Sequence, residues 1–98
     1  LVLYKTPKSA EAFDKHYMTI HVPLAKKIPG LKSYDISRGP VNGPAGPTNI
    51  HLVATLVFDS MPALQEGMGS AEGKAAAGDL PNFADGGVDL YIFDTQDV

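Results

Sequence analysis

Cysteine is absent from this 98-residue sequence. Its absence excludes a disulfide framework, a thiolate nucleophile and any cysteine metal ligand. The sequence also lacks an apolar run of about 18 residues or more, which a membrane-spanning helix requires, and no segment resembles a secretion signal. These absences indicate a protein of a reducing, cytoplasmic setting with no membrane partner.

Positive charge is scarce, because eight lysine and arginine residues stand against eleven aspartate and glutamate residues, for a net charge of −3. The basic residues are scattered and form no stripe that could neutralise a phosphate backbone, so nucleic acid is not an expected partner. Apolar residues make up 44% of the chain, which predicts one compact domain over residues 1–98. A domain of this size buries only about 60 to 65% of its unfolded surface, which favours association with a second copy.

The common nucleotide and cofactor motifs are missing as well. The segment "GMGSAEG", from Gly67, has the wrong spacing for G-x-G-x-x-G and follows a predicted helix instead of a strand. There is no Walker motif, no G-x-S-x-G element and no convergent group of histidines for a metal or haem. We therefore expect no cofactor and no metal.

Changes in the apolar period divide the chain into strands and helices. Strands are predicted at residues 1–4, 31–38, 49–59 and 88–93, and helical segments begin at Ser9, Ser60 and Ser70. The resulting order is β-α-β-β-α-β. This order predicts the ferredoxin-like split βαβ fold, an α+β architecture with a four-stranded antiparallel sheet and its helices on one face.

Two of the predicted strands are apolar on both faces, which a sheet covered by helices on one side does not require. In the third strand, one face carries Ile50, Leu52, Ala54, Leu56 and Phe58, and the other carries His51, Val53, Thr55 and Val57. In the last strand, Val88, Leu90 and Ile92 alternate with Tyr91 and Phe93. A large exposed apolar face usually marks an interface. We therefore predict a homodimer in which two sheets pair through their open faces.

The segment between the second and third strands, "GPVNGPAGPT" from Gly39, contains three glycines and three prolines in ten residues. This composition cannot continue a strand and predicts a long loop without regular structure. We expect the loop to be more mobile than the strands it joins, or to be ordered by a neighbouring subunit.

The first helix carries the most concentrated chemical signal in the sequence. Its predicted apolar stripe consists of Phe13, Tyr17, Ile20, Leu24 and Ile28. His21 follows Tyr17 by four residues, so the two side chains can touch on one face. Pro23 has no N–H for the Thr19 carbonyl and crowds it, which predicts a kink or a break near His21.

The same stretch has a recognisable pattern: an aromatic residue four positions before a histidine, then x-Pro-Leu, then Pro-Gly-Leu. The residues in the pattern are Phe13, Tyr17, His21, Pro23, Leu24, Pro29, Gly30 and Leu31. With "FDSMPAL" from Phe58 and "GDLPNFAD" from Gly78, the chain resembles the EthD family of dimeric α+β barrel proteins. The resemblance implies a barrel formed by two sheets and an association with the breakdown of ethers or other small organic molecules, with oxidoreductase activity as one alternative.

His21 has three alternative roles. It could be structural, by hydrogen-bonding the carbonyl that Pro23 leaves free and so securing the kink. It could be functional, as an acid, a base or a ligand anchor beside Tyr17 in a cleft between the helix and the sheet. A metal role is disfavoured, because His16 lies about 140° around an α-helix from His21 and cannot easily share an ion with it.

His51, near the start of the third strand, is the other candidate, with an interface or strand-end position as the alternative. Asp79 and Asp85 flank Phe83 and are predicted to cap turns or, alternatively, to orient a histidine. Three further aromatic residues are predicted to belong to the core or an interface, with pocket lining as the alternative, namely Tyr34, Tyr91 and Phe93.

Two function classes follow. The first is a small cofactor-independent enzyme or ligand-handling protein, in which Tyr17, His21 and His51 position a proton at a small apolar substrate. The second is a non-catalytic dimeric module that binds a small molecule for an oxidative pathway or assists it. A polar-edged cavity behind the first helix favours the first class, and a cavity filled by aromatic side chains favours the second.

Overall fold

The computed structural model describes the whole chain, residues 1–98. Its elements are β1 (Val2–Lys5), α1 (Ala10–His16), a π-helical turn (Tyr17–His21), α2 (Val22–Lys26), β2 (Leu31–Ile36), β3 (Asn42–Gly43), β4 (Gly46–Pro47), β5 (Ile50–Phe58), α3 (Met61–Gly69), α4 (Ala71–Asp79), a 3-10 turn (Leu80–Asn82) and β6 (Val88–Leu90). One antiparallel sheet contains four strands in the spatial order β2-β5-β1-β6. This is the ferredoxin-like order, so the predicted α+β fold class is confirmed.

Aromatic side chains pack the first helical segment, which consists of α1, the π-helical turn and α2, against the sheet. Tyr4 of β1 and Tyr17 of the π-helical turn are each 1% exposed and belong to one core cluster with Phe13 and Phe83. The Tyr4 ring meets Phe13 and Tyr17 edge to face, with ring centroids 5.4 and 5.5 Å apart. The orientation of the π-helical turn is therefore determined by contacts with β1.

The predicted disturbance near His21 takes the form of the π-helical turn. The backbone N–H of Val22 donates to the Tyr17 carbonyl, which lies five residues earlier in the chain. Pro23 explains the wider turn, because its ring lacks an N–H and would crowd the Thr19 carbonyl in a regular α-helix. The prediction that Ile20 belongs to the apolar stripe is wrong, because the wider turn leaves Ile20 47% exposed and buries His21 instead.

Serine caps begin the helices at the predicted positions. The hydroxyls of Ser9, Ser60 and Ser70 each accept a hydrogen bond from the backbone N–H three residues later. No helix combines the length and the hydropathy that a membrane crossing demands.

The glycine- and proline-rich segment folds into a small hairpin of β3 and β4. The Thr48 hydroxyl donates to the Val41 carbonyl at 2.6 Å and closes the base of the hairpin. Gly46 has a φ of 121°, which a residue with a side chain rarely adopts. The prediction that this segment supports no regular element is wrong, because its glycines permit a tight antiparallel pairing. Its mobility stays a prediction.

The last strand is shorter than the predicted 88–93. β6 ends at Leu90, and Tyr91 then exchanges two backbone hydrogen bonds with Leu1. Beyond Tyr91 the segment has no assigned strand partner, and Ile92 and Phe93 are 60% and 55% exposed.

The open face of the sheet carries an apolar stripe between polar residues. Leu3 lies opposite Val53, and Val57 on the same face is 41% exposed. Polar residues flank the stripe, since Asp89 lies opposite Leu3 and Ser33 lies opposite Val57. The open face is therefore less uniformly apolar than the pattern of β5 alone predicts.

A close approach between α3 and the segment after α2 requires glycine at position 67. A β-carbon at Gly67 would lie 2.5 Å from the Pro29 carbonyl oxygen, whereas one at Gly69 would meet nothing within 4 Å. We expect Gly67→Ala to lower the free energy of unfolding by about 1 to 3 kcal/mol through overpacking. Gly69→Ala, in the same helix, should leave stability unchanged or slightly higher. Urea denaturation measures both variants, and equal unfolding free energies would contradict the close approach.

Candidate functional site

The π-helical turn brings two histidines to one carboxylate. His16 Nε2 lies 2.9 Å from Asp79 Oδ1, and His21 Nδ1 lies 3.0 Å from Asp79 Oδ2. In a regular α-helix a spacing of five residues separates side chains by about 140°, which is the basis for predicting that these histidines face apart. That prediction is wrong, because a π-helical turn holds residues five apart near one face.

Asp79, at the end of α4, is the buried centre of this arrangement. Asp79 is only 6% exposed. The Asn82 side chain of the 3-10 turn donates a further hydrogen bond to its carboxylate at 3.0 Å. Burial alone would raise the pKa of Asp79, but hydrogen bonds from Asn82, His16 and His21 outweigh burial and hold its pKa below the ordinary value. The carboxylate is therefore ionised, although the C-terminal end of a helix disfavours negative charge.

His21 directs one ring nitrogen away from Asp79. Because an ionised carboxylate only accepts, His21 Nδ1 carries the hydrogen, and Nε2 of the neutral ring keeps a lone pair. Burial lowers the pKa of His21, and the opposing effect of Asp79 is smaller. The Tyr4 hydroxyl is 3.5 Å from Nε2, which is long for a hydrogen bond. His21 Nε2 is therefore a buried acceptor with a weak partner.

Three tyrosine hydroxyls lie in this part of the core. Tyr17 and Tyr34 share a hydrogen bond of 2.5 Å between their hydroxyl oxygens. The Tyr17 and His21 rings have centroids 5.3 Å apart, so the predicted contact between them is present. Burial raises the pKa of Tyr4, Tyr17 and Tyr34. The hydroxyls therefore stay protonated at neutral pH and can donate hydrogen bonds.

These polar groups line a small space between the helices and the sheet, which we name the inner cavity. Its volume is about 50 Å³, and its polar lining consists of His21 and the three tyrosines. The other walls are apolar and include Ala54 of β5, Met68 of α3 and Ala76 of α4. An apolar cavity of about 150 Å³ can hold benzene, so the inner cavity takes only a few non-hydrogen atoms unless its walls move.

A larger space, which we name the outer groove, lies on the other side of Tyr17. It has a volume of about 590 Å³ between α1, the hairpin of β3 and β4, and the first residues of β5. His51 lines this groove and donates from Nε2 to Asp14 at 2.8 Å. Tyr17 lines both spaces. Tyr17 and His21 therefore share the inner cavity, whereas His51 lines only the outer groove, so the two histidines do not face one space.

A β-bulge explains the position of His51. The register between β1 and β5 shifts by one residue, which leaves His51 without an opposite residue. Strict alternation predicts His51 on the open face with Val53, but its ring packs edge-on against Phe13 of α1, with centroids 4.8 Å apart. The bulge therefore turns His51 towards the helices.

Other predicted candidates lie elsewhere. Asp85 accepts a hydrogen bond from the Lys8 N–H, which is distant in sequence, and forms no hydrogen bond with a histidine. Tyr91 and Phe93 are 54% and 55% exposed and line neither the inner cavity nor the outer groove.

Sequence reasoning missed two members of the buried cluster, Tyr4 and His16. Tyr4 gives no signal beyond its place in a short strand. His16 is set aside only because α-helical geometry is assumed, and Pro23 two residues after His21 is the signal that argues against that assumption. No group of three or more histidine, aspartate or glutamate side chains is arranged to hold a metal ion.

The architecture defines a ferredoxin-like α+β protein with a buried carboxylate–histidine–tyrosine cluster beneath its first helical segment. Residues 5–87 match the EthD domain. The chain belongs to the EthD family, as the resemblance in the first helix predicted.

Two relatives of equal identity align with almost the whole chain. An uncharacterized 11.0 kDa protein of the thcB-thcC intergenic region of Rhodococcus erythropolis is 36% identical, over 99% of this chain and 93% of its own. The crystal structure of an ethyl tert-butyl ether d (ethd) family protein of Bacillus halodurans has a TM-score of 0.88 at 36% identity, covering 97% of this chain and 94% of that one.

HapK from Hahella chejuensis is a more distant structural neighbour. Its TM-score is 0.59 at 12% identity, covering 99% of this chain and 96% of that one. This likeness concerns the fold alone.

The buried cluster should make the protein sensitive to acid. The pKa of His21 is lowered from 6.5 and that of Asp79 from 3.8, so the unfolded chain binds these protons more readily. Their contribution to stability is present above those values and is lost as pH falls through the lower folded pKa values. We expect the unfolding free energy to fall from pH 7 towards pH 5 and His21→Gln to reduce that slope. Urea denaturation at several pH values measures it, and an unchanged slope in the variant would contradict this reasoning.

Proposed function

We propose that this protein binds a small, mostly apolar organic molecule in the inner cavity and that His21 accepts a hydrogen from it. The observation that carries the proposal is the His21 Nε2 lone pair, which is buried at the cavity with only a 3.5 Å contact to the Tyr4 hydroxyl. A buried acceptor with so weak a partner gains free energy from a ligand that donates a hydrogen bond.

Asp79 and Tyr4 equip His21 to act as a base. If the ligand's O–H proton moves to Nε2, the Asp79 carboxylate stabilises the resulting imidazolium through the 3.0 Å bond to Nδ1. The Tyr4 hydroxyl, beside the same nitrogen, can donate to the ligand oxygen that loses the proton. The neutral state of the ring, which burial favours, leaves Nε2 free to accept. This proposal corresponds to the first of the two predicted function classes.

The chemistry of the cavity favours one class of ligand, and the name of one relative indicates the pathway from which that ligand could come. The walls of the inner cavity are apolar except for His21 and the tyrosine hydroxyls. Such a lining suits an alcohol or a phenol with a small apolar body. The Bacillus halodurans relative is named for ethyl tert-butyl ether. We propose that the ligand arises during oxidative degradation of ethers or related compounds.

A non-catalytic role is the second candidate, and the volume of the inner cavity favours it. At about 50 Å³, the cavity is largely filled by the aromatic side chains around it. In this alternative, Asp79, His21 and Tyr4 hold the helices to the sheet, and the protein assists a degradation pathway as a binding or accessory module.

Methionine methyl groups can report on the inner cavity during a titration with phenol. Among the three methionines, Met68 lines the inner cavity, Met18 lines the outer groove and Met61 lines neither. We expect phenol to shift the Met68 methyl signal in NMR spectra of methyl-labelled protein, because the flexible Met68 side chain can move to admit the ring. His21→Gln should weaken this binding by about tenfold or more, because its amide nitrogen can donate to Asp79 but its amide oxygen does not occupy the position of the imidazole Nε2.

Anisole is the matched control, because it has the same ring but no hydroxyl hydrogen. It should bind at the Met68 methyl more weakly than phenol. Equal affinity of phenol and anisole, an unchanged affinity in His21→Gln, or a phenol titration that moves only Met18 would each contradict the proposal.

We also propose that the protein acts as a homodimer through the open face of the sheet. The apolar stripe of Leu3, Val53 and Val57 lies on this face, with Val57 41% exposed. Ser33 and Asp89 beside the stripe suit the polar rim of such an interface.

Light scattering at micromolar concentration tests the dimer. We expect the mass of two chains for the wild type and of one chain for Val57→Asp, because an unpaired charge would be buried in the interface. Ala75→Asp is the control, since Ala75 is exposed on α4 at the opposite face, and it should keep the mass of two chains. A wild-type mass of one chain would refute the dimer.

A further inference from the structure

We propose that the outer groove is a separate binding site for a neutral ring compound that carries a hydroxyl or N–H group. Its volume of about 590 Å³ lies within the range of about 300 to 1,000 Å³ that is usual for ligand pockets, whereas the inner cavity of about 50 Å³ is too small for such a compound. Tyr17 lines both spaces, but a different histidine serves each of them, so this proposal does not rest on the function proposed for His21.

The walls of the groove are held in place by hydrogen bonds within the chain. The Thr48 hydroxyl donates to the Val41 carbonyl and accepts from the Ile50 N–H, which fixes the base of the hairpin against β5. The Thr6 hydroxyl, just after β1, donates to the carbonyl of Asn49 in the same segment. A groove with such walls exists before a ligand arrives, which lowers the entropy cost of binding.

The floor of the groove is apolar. Tyr17, Ile36 and Leu52 line it, and the Met18 side chain at its edge is 54% exposed. A thioether beside an aromatic ring makes a favourable contact with a further ring. The floor therefore suits a planar apolar body.

Two polar groups in the lining lack a hydrogen-bond partner in the chain. His51 donates from Nε2 to Asp14, so in the neutral ring Nδ1 keeps a lone pair, and it makes no hydrogen bond. The side-chain amide of Asn42, on the hairpin, makes none either and can donate or accept. A ligand with a hydroxyl or an N–H can donate to His51 and contact Asn42 from the same space.

The backbone is irregular at the residue that supplies this acceptor. The bulge leaves His51 without an opposite residue in β1 and turns its ring towards the groove, where Phe13 and Asp14 fix its orientation. A regular strand would place this imidazole on the open face of the sheet. A bulge that redirects a side chain is frequent beside functional sites.

Charge in the lining determines which ligands are accepted. Asp14 is the only aspartate or glutamate in the groove, and neither lysine nor arginine lines it. An anion would therefore meet a carboxylate with no lysine or arginine to compensate it, so the groove favours neutral compounds over anions.

The test uses 2-naphthol and 2-naphthoate, which share one ring system but differ in charge at neutral pH. Methyl-labelled protein is titrated with each compound, and the Met18 methyl signal reports on the groove. We expect 2-naphthol to shift Met18 but not Met61, and 2-naphthoate to bind at least about tenfold more weakly. Asp14→Asn should reduce this difference between the two compounds.

Two histidine variants separate this site from the inner cavity. His51→Phe keeps a ring against Phe13 but removes the acceptor, and we expect it to weaken 2-naphthol binding by about tenfold. His21→Gln should leave the 2-naphthol affinity unchanged. An unchanged Met61 signal, together with unchanged backbone amide signals away from the substituted residue, shows that the fold of each variant is intact.

Several outcomes would overturn the proposal. They are an absence of any Met18 shift with 2-naphthol, equal affinities for the two compounds, or a 2-naphthol affinity that His51→Phe does not change. A Met18 signal that depends on protein concentration without any added compound would assign the groove to a second copy of the chain instead.

Discussion

The arrangement of the helices depends on the hydrogen bonds that His16 and His21 make to the Asp79 carboxylate. This carboxylate joins His16 and His21 of the first helical segment to the end of α4, across 63 and 58 residues of sequence. A carboxylate buried to 6% exposure without these donors would be costly, so the two histidines and Asn82 compensate its burial. The same contact fixes the tautomer of His21 and leaves Nε2, beside the Tyr4 hydroxyl, as the nitrogen without a hydrogen.

The Tyr17 ring divides the space under the first helical segment into two different environments. On one side, His21 is buried among tyrosine hydroxyls and apolar walls, where small uncharged groups fit. On the other side, the His51 side chain is 22% exposed and paired with a carboxylate that is itself 59% exposed. The two histidines thus differ in burial, in partner and in the size of ligand that can reach them. A chain of 98 residues therefore offers two chemically distinct spaces on either side of one aromatic residue.

Each candidate histidine owes its position to one irregularity in a regular element. The π-helical turn rotates His21 and His16 onto one face, and the β-bulge turns His51 from the open face towards the helices. Periodicity predicted the four strands of the main sheet and the helices in the correct order because their apolar patterns extend over several residues, but it missed the hairpin of β3 and β4 and extended β6 too far. It placed Ile20 and His51 wrongly because one additional residue in a turn or a strand changes which face a side chain occupies, and composition does not reveal it. Pro23 indicated the first irregularity, but nothing in the sequence around His51 indicated the second.

The sequence by itself determined the order of strands and helices, the serine caps, the α+β fold class and the EthD family. These features depend on local patterns and on motifs in three short segments, which can be recognised without knowing what packs against them. Only the tertiary structure decided that Asp79 is the partner of His21, that His16 shares it, and that Tyr17 separates the two spaces. The physical reason is that these contacts join residues distant in sequence, and their geometry depends on the packing of whole elements and on single-residue shifts in register.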